Sequence, residues 1–450
     1  MPTEEQLPVG PSEQPTLSGA PASRAGRRAF LLAGASSLAL PLTALASAPL
    51  LAQVLGAQGR GEMTAALAPP VLGVTLVTLG LPDALTYFTA RHQRPESHTR
   101  LAVLLTLATG VVTGVATWFL APLLLRNFPD QVDLLRAIAP TIPLALLAGV
   151  GRGLAQGLEH FRLLNNERWL APTLRLAALL ICAWYGVLTV ESAVWITWGM
   201  GLLSTACYLV PLSRVLFRRS PGRSAVRPFM RYSVLIWAGS LAGLLVLRVD
   251  QVLLTFFSAA VPVGWYAAAV AMGEVPQSII NALRPMLLAR GATETHALSA
   301  ARLCRLALTG CAAMAVIGSA LAPLLVPRFF GDDFTGAVPA TQILLFAALP
   351  ASVSIFAGTG LSAMGRPGPV ISAQVLALAV TLAVLPFLAP RYGATGAALT
   401  SLAAYSVAAV YVVMRLRTSS GLSYSALLVV TKDDVAALMR RRASADRVDE

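Results

Sequence analysis

Between residues 29 and 415 this chain is a succession of apolar runs, most of them as long as the ~20-residue helix that crosses a hydrocarbon core. That repetition constrains the fold more than anything else in the sequence. The runs fall at 29–56, 63–90, 101–125, 133–157, 168–189, 192–216, 232–257, 262–289, 301–326, 338–364, 368–389 and 394–415. They are continuous rather than alternating, so they suit helices and exclude a closed β-barrel, the other architecture that satisfies its own backbone in lipid. With 56% hydrophobic and 12% charged residues and a mean hydropathy of +0.69, no separate soluble domain fits. The expected fold is an all-α integral membrane protein of about twelve transmembrane helices. Prolines within the runs (Pro69, Pro70, Pro82, Pro140, Pro143, Pro276, Pro285 and Pro350) predict kinks.

Charge sets the orientation. The net charge of +13 does not mark a nucleic-acid binder, because the arginines are scattered through interhelical loops and form no single basic surface. Only Arg60, Arg126, Arg136, Arg328 and Arg391 occupy one set of loops, and the remaining loop and terminal cations occupy the other. Cytoplasmic loops carry such an excess, which predicts both termini inside. Residues 1–28 read as a disordered cytoplasmic N-terminus, 218–231 as a basic cytoplasmic linker and 417–450 as a cytoplasmic tail, with lobes at 29–217 and 232–416 between them. The segment from Arg24 to Ala48 mimics a twin-arginine signal, but its apolar run continues through Val54 and reads as a retained first span. Leu427–Met439 is open to two readings, an interfacial amphipathic helix or a solvated tail. The four cysteines lie in apolar runs with no metal or disulfide spacing.

The two halves echo one another. LAPLLLRNFPD (120–130) matches LAPLLVPRFFGDD (321–333), GRGLAQG (151–157) matches GTGLSAMG (358–365), and GEMTAALA (61–68) matches GWYAAAVA (264–271). The second and eighth spans also both end in Ala–Arg, at Arg91 and Arg290. Copies separated by six spans share an orientation, so this is a parallel repeat about an axis along the membrane normal. Two six-helix lobes around a central cleft follow from it. The first, second, seventh and eighth spans are expected to line that cleft.

Several segments then carry a resemblance: LGAQGRGEMTAAL, GVGRGLAQGLEHFR, LRVDQVLL followed by VGWYAAAVAM, FFGDDFTGAVPATQILLFAALP, LSAMGRPGPVISAQ and PRYGATGAALTSLAAY. In order and spacing they resemble the polysaccharide-transporter branch of the multidrug/oligosaccharidyl-lipid/polysaccharide superfamily, the O-antigen-type flippases. The loop ARHQRPESHTR does not match the basic loop of the major facilitator group. The tail after Arg417 is too short for the two extra spans of the peptidoglycan-precursor flippases. The resemblance implies a flippase of the bacterial cytoplasmic membrane that moves a polyprenyl-diphosphate-linked oligosaccharide by alternating access, for lipopolysaccharide or exopolysaccharide assembly. Its expected partners are that lipid-linked oligosaccharide, membrane lipid and a coupling proton or sodium ion. The alternative is an ion-coupled multidrug exporter of the same superfamily.

Charges at membrane depth supply the candidate site. At ~1.5 Å per residue, Arg248 lies roughly 24 Å into the seventh span and Glu274 roughly 18 Å into the eighth. Arg175 sits about two turns into the fifth span, and Arg152 and Asp83 lie near the inner ends of the fourth and second. On one reading Arg248, Arg175 and Arg152 bind the diphosphate, with Glu274, Asp250 and Asp83 as counter-charges or ion-coupling groups. On the other, Arg248 pairs with Asp250 or Glu274 between helices, and the inner-end arginines snorkel to headgroups. Trp118, Trp195, Trp198, Trp265 and Tyr266 read as interface anchors, and Tyr87, Phe88 and Trp237 as possible sugar-stacking rings. Nothing resembles a nucleotide site, a metal cluster or a nucleophile triad, and the outer loops are too short to carry catalytic residues. No enzyme activity and no cofactor are therefore expected.

Overall fold

The computed structural model describes residues 39–91, 96–218, 226–291 and 294–420, and the regular structure among them is helical. The start of the expected first span, half of the basic linker (219–225) and the tail beyond Ser420 lie outside the described residues. The helices are α1 (Ala39–Val77), α2 (Leu81–Arg91), α3 (Glu96–Leu124), α4 (Val132–Ile138), α5 (Ile142–Gly157), α6 (Phe161–Trp184) and α7 (Val190–Leu216). After the linker come α8 (Val226–Val246), α9 (Val249–Phe257), α10 (Ala260–Gly291), α11 (Glu294–Phe330), α12 (Val338–Ala363) and α13 (Gly368–Ser420).

Two of these are really helix pairs. Gly56 (φ 68°) divides α1 into 39–55 and 57–77, and Gly393 (φ 52°) divides α13 into 368–392 and 394–420. Three others are broken spans. Pro82 lacks an amide and crowds the preceding turn, so the second span unwinds at 78–80 and its two pieces meet at 40°. Pro140 lies in a 3-10 turn (Ala139–Thr141) between α4 and α5. The seventh span breaks at 247–248 between α8 and α9 with no proline nearby. Counting each broken pair once gives the expected twelve spans.

By length and hydropathy alone, seven of the described helices qualify as spans, or eight with the bent pair. Part of the difference lies in how helices join: the bent pair holds the first and second spans, α13 merges two more, and α6 carries Arg162, Glu167, Arg168 and Arg175.

The loops sort to two ends. We call proximal the end with Arg91, Glu96, 158–160, Val226, Gly291 and 364–367, and distal the end with Gly56, 125–131, 185–189, 258–259, 331–337 and Gly393. Helices α3, α5, α6 and α7 pack on one another and on α1 and α2, while α8 to α13 pack together as a second lobe. Contact between the lobes comes chiefly from α1 and α2 against α8, α9 and α10, as the repeat implied. The lobe interiors are rich in alanine, as at Ala373, Ala377, Ala404 and Ala408, so helix axes approach closely. Large apolar side chains such as Val112, Phe119, Leu123, Leu180 and Ile181 point outward, as lipid-facing positions should.

Candidate functional site

At the distal end the lobes meet through a reciprocal contact. A β-carbon built at Gly61 would run into the carbonyl oxygen of Ala260, and one at Gly264 into that of Ala57. The positions are repeat equivalents: Ala57 and Gly61 begin the second span, Ala260 and Gly264 the eighth. Each pair is a small-x-x-x-small motif that lets two backbones touch. Flanking hydrogen bonds run one way, from the N-terminal lobe to carbonyls of the C-terminal lobe. Gln53 Nε2 donates to Phe329 O at 2.8 Å, while Arg126 Nη2 and Asn127 Nδ2 donate to Phe256 O at 3.0 and 2.9 Å. Two buried apolar clusters, around Tyr266 and around Phe334, back the seam.

The proximal contact is of another kind. It joins the broken second span to the seventh, where Ser233 Oγ and Trp237 Nε1 donate to the carbonyls of Leu79 and Leu76 at 2.5 and 2.9 Å. Tyr87 stacks on Tyr232 with centroids 4.3 Å apart, and Phe88 packs against Phe229. The rings considered for sugar stacking are thus engaged with other residues of the chain.

The six expected site residues separate into three groups. In the C-terminal lobe, Arg248 stands at the break of the seventh span as the N-cap of α9. Its side chain is exposed and makes no hydrogen bond or ion pair among the described residues, although its charge bears on Asp250, Glu274 and Tyr405. Asp250 is buried and turned away. It accepts from Tyr266 Oη at 2.5 Å and from the amide of Gln251 at 2.8 Å, and Tyr266 Oη lies 3.1 Å from Ser401 Oγ. The alternative pairing of Arg248 with Asp250 is therefore not formed. Glu274, exposed in the middle of α10, is also without an ion pair among the described residues.

In the N-terminal lobe, Asp83 and Arg152 line one cavity of about 560 Å³ between α1–α2, α5 and α7, along with Thr86, Gln156 and Thr197. Arg152 Nη2 pairs with Glu167 Oε1 at 2.8 Å, and Tyr208 Oη donates to the other oxygen at 3.4 Å. Glu167 and Tyr208 escaped the sequence reading. The fifth span was expected to begin at 168, which left Glu167 in a loop, whereas α6 begins at Phe161. Arg175 stands apart from both groups and donates to Ser47 Oγ of α1 at 3.0 Å.

Two supposed interface anchors are internal. Tyr266 belongs to the Asp250 network, and Trp198 is buried with its indole donating to Thr141 Oγ1 at 2.7 Å. Trp118 remains outward-facing, as expected.

The fold has solved relatives. It is similar to an inward-facing multidrug resistance MATE family transporter of the MOP superfamily (TM-score 0.65, 14% identity, 87% of this chain and 99% of that one). It is also similar to the lipid II flippase MurJ in an inward closed conformation (TM-score 0.70, 11% identity, 86% of this chain and 87% of that one). A curated relative, stage V sporulation protein B of Bacillus subtilis (strain 168), is 24% identical over 173 residues. That alignment covers 35% of this chain and about a third of the relative's length. The family described as polysaccharide biosynthesis protein matches residues 28–284, more than half of the sequence. The two-lobe helical fold is that of a multi-pass membrane protein, and the match over residues 28–284 makes the chain a member of the polysaccharide biosynthesis protein family.

Proposed function

We propose that the protein carries a polyprenyl-diphosphate-linked oligosaccharide across the bacterial cytoplasmic membrane by alternating access, for cell-surface or exopolysaccharide assembly. The observation that carries this reading is Arg248. A guanidinium at membrane depth is costly, and this one has neither an ion pair nor a hydrogen bond among the described residues while a helix break holds it exposed. An arriving diphosphate would supply the missing charge in bidentate geometry. Arg152 lines the N-terminal cavity and could take a second phosphate oxygen by exchanging with Glu167. Arg175 is the third candidate cation. Family membership supports the substrate class, and the similar fold of a lipid II flippase is consistent with it.

The sealed distal end supports a state open toward the proximal side, which we assign to the cytoplasm from the excess of proximal arginines. Reporters fused after Arg94, Arg223, Gly291 and Arg417 should then read as cytoplasmic, and those after Gly59, Asp130, Ala260 and Asp332 as external. One inverted pair would refute the assignment. Asp250, Glu274 and Asp83 are left as counter-charges or as exchange sites for a coupling proton or sodium ion.

The second reading, an ion-coupled drug exporter, draws on the MATE likeness and on Asp250 and Glu274 in the C-terminal lobe. Export assays separate the two. For the flippase, Arg248→Ala and Arg248→Gln abolish glycan export while the protein still reaches the membrane, and Arg248→Lys restores part of it. For the drug exporter, activity depends on Glu274 or Asp250 and survives loss of the arginines. Full glycan export by Arg248→Ala would remove Arg248 from the site.

A further inference from the structure

Residues 390–393, Pro–Arg–Tyr–Gly, lie in one of the family-like segments yet outside the site described above. They form the distal turn within α13 and border a second cavity, of about 380 Å³, at the distal end of the C-terminal lobe. That volume falls at the small end of the range for small-molecule sites and leaves room for a mono- or disaccharide. Three distal turns build the cavity: the α9–α10 junction, the 3-10 turn Asp332–Ala337 and residues 389–395.

Its wall is held in place. Trp265 Nε1 donates to Asp333 O at 2.7 Å, and the six-membered ring lies so close to Gly336 that a β-carbon there would fall 2.5 Å from it. Pro262 closes against Gly393, where a β-carbon would come within 3.0 Å of the proline ring. Ser258 Oγ donates to Ala389 O at 3.2 Å and ties two of the turns together. Arg391 and Tyr392 also line the cavity. Both are exposed, and their side chains make no hydrogen bond or ion pair among the described residues.

A sugar ring has an apolar face of C–H groups and an edge of hydroxyls. An aromatic wall suits the face, while the edge suits a guanidinium fork beside a phenol that both donates and accepts. A phosphate fits less well, because Arg391 is the one cation among the lining residues and the indole N–H is already engaged. The cavity also borders the seam. The α9–α10 junction that lines it carries Ala260 and Gly264 as well, so the contact that parts when the distal end opens lies on the same turn.

We propose that this cavity is a saccharide-binding subsite on the distal face, with Trp265 as its platform and Arg391 and Tyr392 as its hydrogen-bonding groups. Its ligand is either the sugar end of the transported glycan, met as the seam parts, or a free saccharide outside the membrane. The first of these rests on the proposed function; saccharide binding itself does not.

The test uses the full-length protein in phosphatidylcholine nanodiscs, titrated with cellobiose, diacetylchitobiose and glucuronic acid and read by saturation-transfer NMR. At least one of these should bind saturably. Arg391→Ala should weaken that binding about tenfold, the loss of roughly one charge-assisted hydrogen bond, and Tyr392→Phe should weaken it several-fold. Both side chains are exposed, so these variants should keep the wild-type unfolding temperature. Trp265→Leu, which fills space without an aromatic face, should abolish binding. Arg328→Ala, at an exposed distal arginine outside the cavity lining, should leave it unchanged. Glycan export then names the source: it slows in Arg391→Ala if the ligand is the cargo, and is unaffected if the ligand is a free saccharide. Full glycan export by Arg248→Ala beside intact saccharide binding would count against the diphosphate reading alone. Absence of saturable binding by all the saccharides, or equal binding by Arg391→Ala/Tyr392→Phe, would overturn the subsite. So would a thermal shift given by phosphatidylglycerol, lost in Arg391→Ala and unaccompanied by saccharide binding, which would make Arg391 a headgroup anchor.

Discussion

At the distal end the two lobes behave as copies; at mid-membrane they do not. Ala57 and Gly61 meet Ala260 and Gly264 in a reciprocal contact, flanked by amide and guanidinium donors of the N-terminal lobe on carbonyls of the C-terminal lobe. Deeper in, the second span is broken at 78–80, while its counterpart α10 runs unbroken from Ala260 to Gly291. The seventh span breaks at 247–248, while its counterpart 39–55 is continuous. The charges diverge as well. The buried carboxylate of the N-terminal lobe, Glu167, is neutralised by Arg152, whereas that of the C-terminal lobe, Asp250, is held by a hydroxyl and an amide. A surface on which the lobes close against each other benefits from the twofold, because one motif serves both sides. On the proposed function the interior handles an asymmetric cargo and is free to differ.

The strongest way to break the comparison is at the seam. Gly61→Val or Gly264→Val would drive a branched side chain into a backbone carbonyl, which cannot swing aside. Overpacking costs ~1–3 kcal/mol even where side chains yield, so each variant should reach or exceed the top of that range. The two midpoints in a thermal unfolding series should fall by similar amounts. The double variant should cost less than the sum, since the first substitution already parts the seam. A large effect at one glycine and none at the other would show that the symmetry is only sequence-deep.

Much of this was readable from the chain. The apolar runs fixed the span number, and the alignment of residues 61–68 with 264–271 already paired the two seam glycines. Pro82 marked the turn that breaks the second span. The break at Arg248 was not legible, because no proline signals it, and the sequence left open whether Arg248 meets a diphosphate or pairs with Asp250 or Glu274. The partners of the buried carboxylates were hidden for a different reason. Tyr208 and Glu167 are 41 residues apart, Tyr266 and Ser401 are 135 apart, and only tertiary packing decides which distant hydroxyl reaches which acid. Distal turns were also shorter than expected, since α1 resumes immediately after Gly56 where a loop of several residues seemed to stand.

A smaller effect sharpens the contrast between the polar interiors. Tyr266→Phe removes the side-chain donor from buried Asp250 and should destabilise by ~1–3 kcal/mol, as expected for a charged group left short of a partner. The same change in the other lobe, Tyr208→Phe, removes a longer contact from a carboxylate that keeps its arginine, and should cost ~1 kcal/mol or less. Denaturant or thermal series on the two variants would measure this. A double-mutant cycle of Tyr266→Phe with Asp250→Ala should return a coupling of ~0.5–3 kcal/mol. Equal costs in the two lobes would mean that the acids are held alike and the proposed asymmetry is absent.

The smallest expected effect lies at the proximal contact. Trp237→Phe keeps an aromatic ring, trims part of the indole and loses one hydrogen bond, that to the Leu76 carbonyl, a bond worth a net ~0.5–1.5 kcal/mol. Ser233→Ala does the same at Leu79. Global unfolding would barely register either change, but local opening should. The backbone at 78–80 is already off the helical path, so its neighbours depend on those two donors more than an intact turn would. Amide hydrogen exchange over residues 76–84 should quicken in each single variant and more in the double, while the corresponding stretch of α10, which has no break to support, keeps its wild-type rate. If α10 responded equally, the two donors would be stabilising the whole interface between the lobes rather than the unwound turn of one span.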